Sequence, residues 1–115
     1  MTTALSPALR QDVAARFRAL GDETRLAILD VLVHDGARSV GELAAEIGSS
    51  HANVSKHLKV LLDADLLARE KRGNSVIYRV EDPHLVQICD LACARIIELA
   101  HARADKYAVL NTREA

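Results

Sequence analysis

Cys89 and Cys93 are the only cysteines in the chain, and both stand in the stretch QICDLACARI, residues 87–96. On a helix, side chains four apart share a face, so both sulfurs could bind one soft metal or metalloid ion. Oxidation is a second chemistry open to them. An intrahelical bridge is the less attractive form of it, because Cα atoms one turn apart lie near the long end of disulfide geometry. A third reading involves no chemistry at all: free cysteine packs as a small buried hydrophobe. What a thiol pair would control depends on the elements that hold it.

A length of 115 residues suggests one domain, spanning 1–115. No apolar run is long enough to cross a membrane. The start, MTTALSPALRQDVAARF, lacks the basic-then-apolar pattern of a secretory signal. Two cysteines without a disulfide framework fit a reducing, cytoplasmic setting. With no tryptophan and one phenylalanine, Phe17, the core must be built from aliphatic residues and alanine, which favours helices. Net charge is −1, but it is unevenly placed. Residues 51–79 carry Lys56, Lys59, Arg69, Lys71, Arg72 and Arg79 against Asp63, Asp65 and Glu70, and both flanking segments are net acidic. A basic middle points to a polyanion, against the alternative of an ordinary solvated face.

Apolar periodicity and capping residues place helices along most of the chain. Ser6 and Pro7 open a first helix over 6–20, which Gly21 closes. Asp22 caps a second, DETRLAILDVLVH. Ser39 and Glu42 have capping-box spacing at the head of a short third helix that stops at Gly48. Only Ser49 and Ser50 separate it from a fourth, HANVSKHLKVLLDADL, so residues 39–63 read as a helix-turn-helix. Two strand-like runs around Gly73-Asn74 form a hairpin over 67–81. A long last helix follows over 83–106, and the terminal NTREA reads as a frayed end. The order predicts a mainly α protein with a small β-hairpin wing, a winged helix-turn-helix.

On a wheel of about 100° per residue, Val54, Leu58, Leu61 and Leu62 form the buried stripe of the fourth helix. Ala52, Asn53, Lys56 and Lys59 fall opposite. Ser55 and His57 sit at the edges, and Ser50 and His51 at the N-terminal end. Short polar side chains let a backbone approach the major groove, Asn can read an adenine edge, and Lys can reach guanine or phosphate. Ser50, His51, Asn53, Ser55, Lys56, His57 and Lys59 are therefore the candidate contacts of a recognition helix. A metal site at His51 and His57 is disfavoured, since no further ligand stands at suitable spacing. Arg69, Lys71 and Arg72 of the wing are candidates for phosphate or minor-groove contact.

The segments ALGDETRLAILDVL, SSHANVSKHLKVLLDADLL and GNSVIYRV, in that order, resemble the ArsR/SmtB family of bacterial winged-helix repressors over about residues 15–82. Glu23 departs from the family's proline. The resemblance implies a homodimer built from the first and last helices, an operator with two-fold symmetry, and release of that operator when an effector binds. Leu9, Val13 and Phe17 on the first helix, with Leu85, Ile88, Ala92, Ile96 and Leu99 on the last, are the expected interface. One family sensor site uses Cys-x-Cys at the start of the third helix. Here Ser39 and Gly41 occupy those places, so it is absent. Another uses Asp-x-His on the last helix, completed across the dimer. Asp82 and His84 match its first half, but Arg95 stands where the second half should begin, and Arg cannot ligate a metal. Glu98 and His101 offer a displaced alternative. Cys89 and Cys93 remain the leading effector candidates, with His84 and His101 able to complete a shell for a soft ion.

Three functions compete at this point. The first is a homodimeric repressor released by a thiophilic metal, metalloid or oxidant. The second is a winged-helix DNA-binding regulator with no metal or redox input. The third is a protein-interaction module. An enzyme is not expected, because there is no phosphate loop, nucleophile elbow or His-Glu-x-x-His.

Overall fold

In the computed structural model, which describes residues 3–110 and side chains as far as residue 104, helices begin where a side chain can accept from exposed backbone N–H groups. Ser6 accepts from the Leu9 amide ahead of α1 (Pro7–Leu20). Asp22 accepts from the Arg25 amide at 2.9 Å ahead of α2 (Glu23–Asp35). Ser39 and Glu42 close a reciprocal capping box on α3 (Val40–Ile47). Ser50 accepts from the Asn53 amide ahead of α4 (His51–Asp63). Between α3 and α4 the chain reverses through Gly48, whose left-handed φ of 68° carries no side-chain penalty.

A three-stranded antiparallel sheet brackets the helix-turn-helix in the chain. β2 (Leu67–Arg72) and β3 (Ser75–Val80) form the wing, with Arg72 opposite Ser75 across Gly73-Asn74. The hairpin expected from that dipeptide is present. A third strand, β1 (Arg38–Ser39), was not expected. It lies along β3, pairing Arg38 with Tyr78 and Ser39 with Ile77. Two residues are too few to show alternation in a sequence, and the strand exists because β3 offers it an edge.

Residues Met1–Asp82 form one compact unit. Its core joins Ile28, Leu29 and Leu32 of α2, Leu43 of α3, and Val54, Leu58 and Leu61 of α4 to Leu66 and Leu67 at the root of the wing. Each fully buried leucine contributes roughly 2 kcal/mol. The stripe read from the sequence of α4 is the buried one, except that Leu62 is only half-buried. Arg16 of α1 donates to the Ala64 carbonyl, 3.1 Å away at the end of α4, and forms an ion pair with the buried Asp82.

The second unit, Pro83–Ala115, holds α5 (Leu85–Leu110), which begins later and runs longer than expected. Pro83 and His84 form a turn before it. The terminal NTREA lies outside the described residues. α5 shows apolar side chains on several sides: Leu91 is 73% exposed and Ile96 66%, with Val86 and Ile97 also exposed.

Candidate nucleic-acid interface

The capped N-terminus of α4 and the α3–α4 turn place the polar face of α4 outward. His51, Ala52, Ser55, Lys56 and Lys59 are all exposed on it, while Val54, Leu58 and Leu61 hold the opposite face in the core. Asn53 is half-buried, and its amide donates to Ser49 Oγ at 2.9 Å, so it braces the turn. His51 leans over the start of α3. A Cβ built on Gly41 would lie 3.4 Å from its Cε1. Lys59 pairs with Asp63 at 3.2 Å, one turn on. Among the described residues Lys56 makes no ion pair, which leaves its charge available to an external anion.

His57 is a correction. It was a candidate DNA contact, but only 8% of it is exposed. Arg25 Nη1 donates to its Nδ1 at 3.2 Å, and Asp22 Oδ1 lies 3.9 Å away. The ring faces inward because α2 supplies it with polar partners there. The Arg25 amide's hydrogen bond, aided by the Arg25 guanidinium, holds the Asp22 carboxyl below its usual range.

The wing sorts its charges by face, since alternate residues of a strand point to opposite sides. Arg69 and Lys71 share one face, Glu70 and Arg72 the other. Arg72 Nε donates to Glu70 Oε1 at 2.9 Å, and Arg79 is paired with Glu81. Arg69 and Lys71 are exposed and make no ion pair among the described residues. The wing cations expected to act together thus divide into free and neutralised ones. The sequence signal for this was Glu70, in strand alternation with Arg72.

The effector candidates are less gathered. Cys89 is half-buried and Cys93 exposed, and both are free thiols. Burial pushes the Cys89 thiol up, with further contributions from Cys93 and Asp90. A raised thiol is a poorer metal ligand at neutral pH and a slower target for oxidants, because the thiolate is the reactive form. Asp82 is a second correction: it is buried and ion-paired with Arg16, so its carboxylate is already committed. His84 is exposed with Nδ1 3.4 Å from Gln87 Oε1, Glu98 pairs with Arg95 at 3.2 Å, and His101 is exposed. Among the described residues no three His, Cys, Asp or Glu side chains are grouped to hold a metal. Among the described residues the cysteine pair can supply two ligands.

The expected interface residues also divide. Leu9, Phe17, Ala92 and Ile96 are exposed, and Val13, Ile88 and Leu99 half-buried. Leu85 is fully buried in the single chain, which takes it out of an interface between copies. Leu91, on another side of α5, is also exposed and was not among the expected residues. Its lone place on that side gave no periodic signal.

The family model described as a helix-turn-helix domain matches residues 20–70. An uncharacterized HTH-type transcriptional regulator of Mycobacterium tuberculosis, Rv0081, is 37% identical over 100 residues, covering 86% of this chain and 84% of that protein. The chain belongs to the ArsR/SmtB family of winged helix-turn-helix transcriptional repressors. A further relative of this ArsR/SmtB chain is the cadmium resistance transcriptional regulatory protein CadC homolog of Staphylococcus aureus, 37% identical over 77% of this chain and 74% of its own length. Among solved structures, the AntR antimony-specific transcriptional repressor superposes with a TM-score of 0.74 at 30% identity, covering 87% of this chain and 90% of that one. The crystal structure of Rv0081 superposes with a TM-score of 0.77 at 31% identity, covering 87% and 99%. As an ArsR/SmtB protein the chain is a DNA-binding transcriptional repressor.

Proposed function

We propose that this repressor works as a homodimer on an operator with two-fold symmetry, and that a thiophilic ion acting at Cys89 and Cys93 releases it. The observation that carries the proposal is the pairing of two surfaces. One is α4 with Lys56 and the wing with Arg69 and Lys71, none of which makes an ion pair among the described residues. The other is the apolar side chains left open on each of α1 and α5, where Phe17 is 60% and Ile96 66% exposed. A symmetric dimer covers the second surface and presents the first twice, at the spacing of successive major grooves. In this reading Ser50, His51, Asn53, Ser55, Lys56 and Lys59 form the groove face, and Arg69 and Lys71 bind phosphate.

The effector follows from thiol chemistry. Soft thiolate ligands select soft ions, and antimony and cadmium appear in the names of similar proteins. Because the two sulfurs are one turn apart, one ion can bridge them, and a second copy can add the missing donors. Asp82 takes no part in this site. A second reading, repression without metal or redox input, draws support from the raised Cys89 thiol.

Titration of the protein–operator complex with antimonite, arsenite, Cd²⁺, Zn²⁺ and peroxide separates these readings. Release of the wild type by a soft ion, lost in Cys89→Ser and Cys93→Ser, is the expected result. A wild type that stays bound throughout, or variants that respond equally, would leave the cysteines as packing residues.

A further inference from the structure

We infer that Arg25 is a positioning residue for the recognition helix, acting through His57. Its guanidinium is donor-only, with a fixed fork of N–H groups. Nε donates to the Ala19 carbonyl at 2.6 Å and Nη2 to the Arg18 carbonyl at 2.9 Å, both at the C-terminal end of α1. Nη1 donates to His57 Nδ1 at 3.2 Å, midway along α4. One side chain on α2 therefore ties the end of α1 to the middle of the recognition helix.

The tie has a stated chemistry. Because Arg25 can only donate, this hydrogen bond is made by the His57 tautomer whose Nδ1 accepts. Lysine cannot replace this arginine. Its single ammonium lacks the fork that reaches carbonyls on one side and an imidazole on the other. Arg16 adds a second link from α1 to α4 through the Ala64 carbonyl. Resting on the reading that α1 lies at the dimer interface, a shift of α1 against a partner moves α4 with it. The orientation of the groove-facing side chains is then set from a helix that touches no DNA.

The test uses the full-length protein with Arg25→Gln, Arg25→Lys, His57→Leu, His57→Asn and the double variant Arg25→Gln/His57→Leu. Asparagine Oδ1 can stand where Nδ1 stands and still accept. Operator affinity should fall about tenfold in Arg25→Gln, Arg25→Lys and His57→Leu, the scale of one lost buried hydrogen bond. It should fall no further in the double variant and stay near wild type in His57→Asn. The salt dependence of binding should be unchanged in the His57 variants, since no phosphate contact is lost. Losses that add in the double variant, or His57→Asn as weak as His57→Leu, would overturn the inference, as would folded single variants that bind within twofold of wild type. Hydrogen exchange of α4 in the DNA-free protein gives a readout independent of the operator. Protection should drop in His57→Leu and be kept in His57→Asn, and equal protection in the two would also overturn it. Failure of the wild type to bind its own promoter DNA would count against the functional reading alone.

Discussion

The carboxylate of Asp82 is buried against the guanidinium of Arg16, so the loop ahead of α5 is fastened to α1 by charge. Removing Asp82 leaves Arg16, whose side chain is 35% exposed and can turn to water, so the loss is about 1 kcal/mol and not the several of a fully buried pair. Asp82→Ala should therefore melt somewhat below wild type while keeping whatever response to metals the wild type has. A variant that melts normally but no longer responds would make Asp82 a ligand after all.

Lys56 and Asn53 should separate in their effects. Lys56 is exposed and without an ion pair among the described residues, so Lys56→Ala should weaken operator binding by about 1–3 kcal/mol and leave melting unchanged. Asn53 also braces the turn through Ser49, so Asn53→Ala should lose affinity and about 1 kcal/mol of stability together. Calorimetric melting beside fluorescence anisotropy with operator DNA reads both. Equal melting of the two variants would deny Asn53 its bracing role.

Charge sorting on the wing gives an ordered series. Arg69→Ala and Lys71→Ala should each flatten the salt dependence of DNA binding by about one unit of slope. Arg72→Ala should do less, because Glu70 already offsets that charge. Glu70→Gln should raise affinity by releasing Arg72. Binding measured over a range of salt concentrations checks the order, and an Arg72 effect as large as that of Lys71 would contradict it.

Leu91 and Ile96 are open in the single chain, whereas Leu85 is not. Ile96→Glu and Leu91→Glu should give folded monomers with poor operator affinity. Leu85→Ala should instead lower protomer stability by about 2–5 kcal/mol, the usual cost of a cavity, and still dimerise. Sedimentation with thermal melting distinguishes the two classes. Dimers of Ile96→Glu at micromolar concentration would place the interface elsewhere.

Local chemistry made much of this fold legible. Ser6, Asp22 and Ser39 each cap the helix expected of them, because a cap depends on residues within one turn, and Ser50, read only as a turn residue and DNA contact, caps α4 in the same way. Gly73-Asn74 gives the hairpin for the same reason. What escaped depends on residues far apart in the chain. His57 has the type of a surface residue and sits at the edge of the stripe on a wheel. Its burial rests on Arg25, thirty-two positions earlier. The commitment of Asp82 likewise rests on Arg16. β1 is visible only once β3 lies beside it, and the neutralising of Arg72 only once the ribbon's two faces are told apart. Exposed apolar residues on more than one side of α5 blurred its interface, since periodicity marks one stripe and not two.

Ser39 ends β1, and its hydroxyl closes the box that starts α3. It also occupies one position of the family's Cys-x-Cys sensor, and Gly41, under the ring of His51, occupies the other. Evolving a thiolate site there would carry a toll on this background. A cysteine at 39 replaces a strong acceptor with a weak one and forfeits about 1 kcal/mol of capping. A Cβ at 41 would meet the His51 ring at ordinary contact distance, 3.4 Å, so the second position is the less costly of the two. The cost of a thiolate site there therefore falls on position 39, whose hydroxyl closes the capping box, whereas Cys89 and Cys93 lie within α5 and cap no helix.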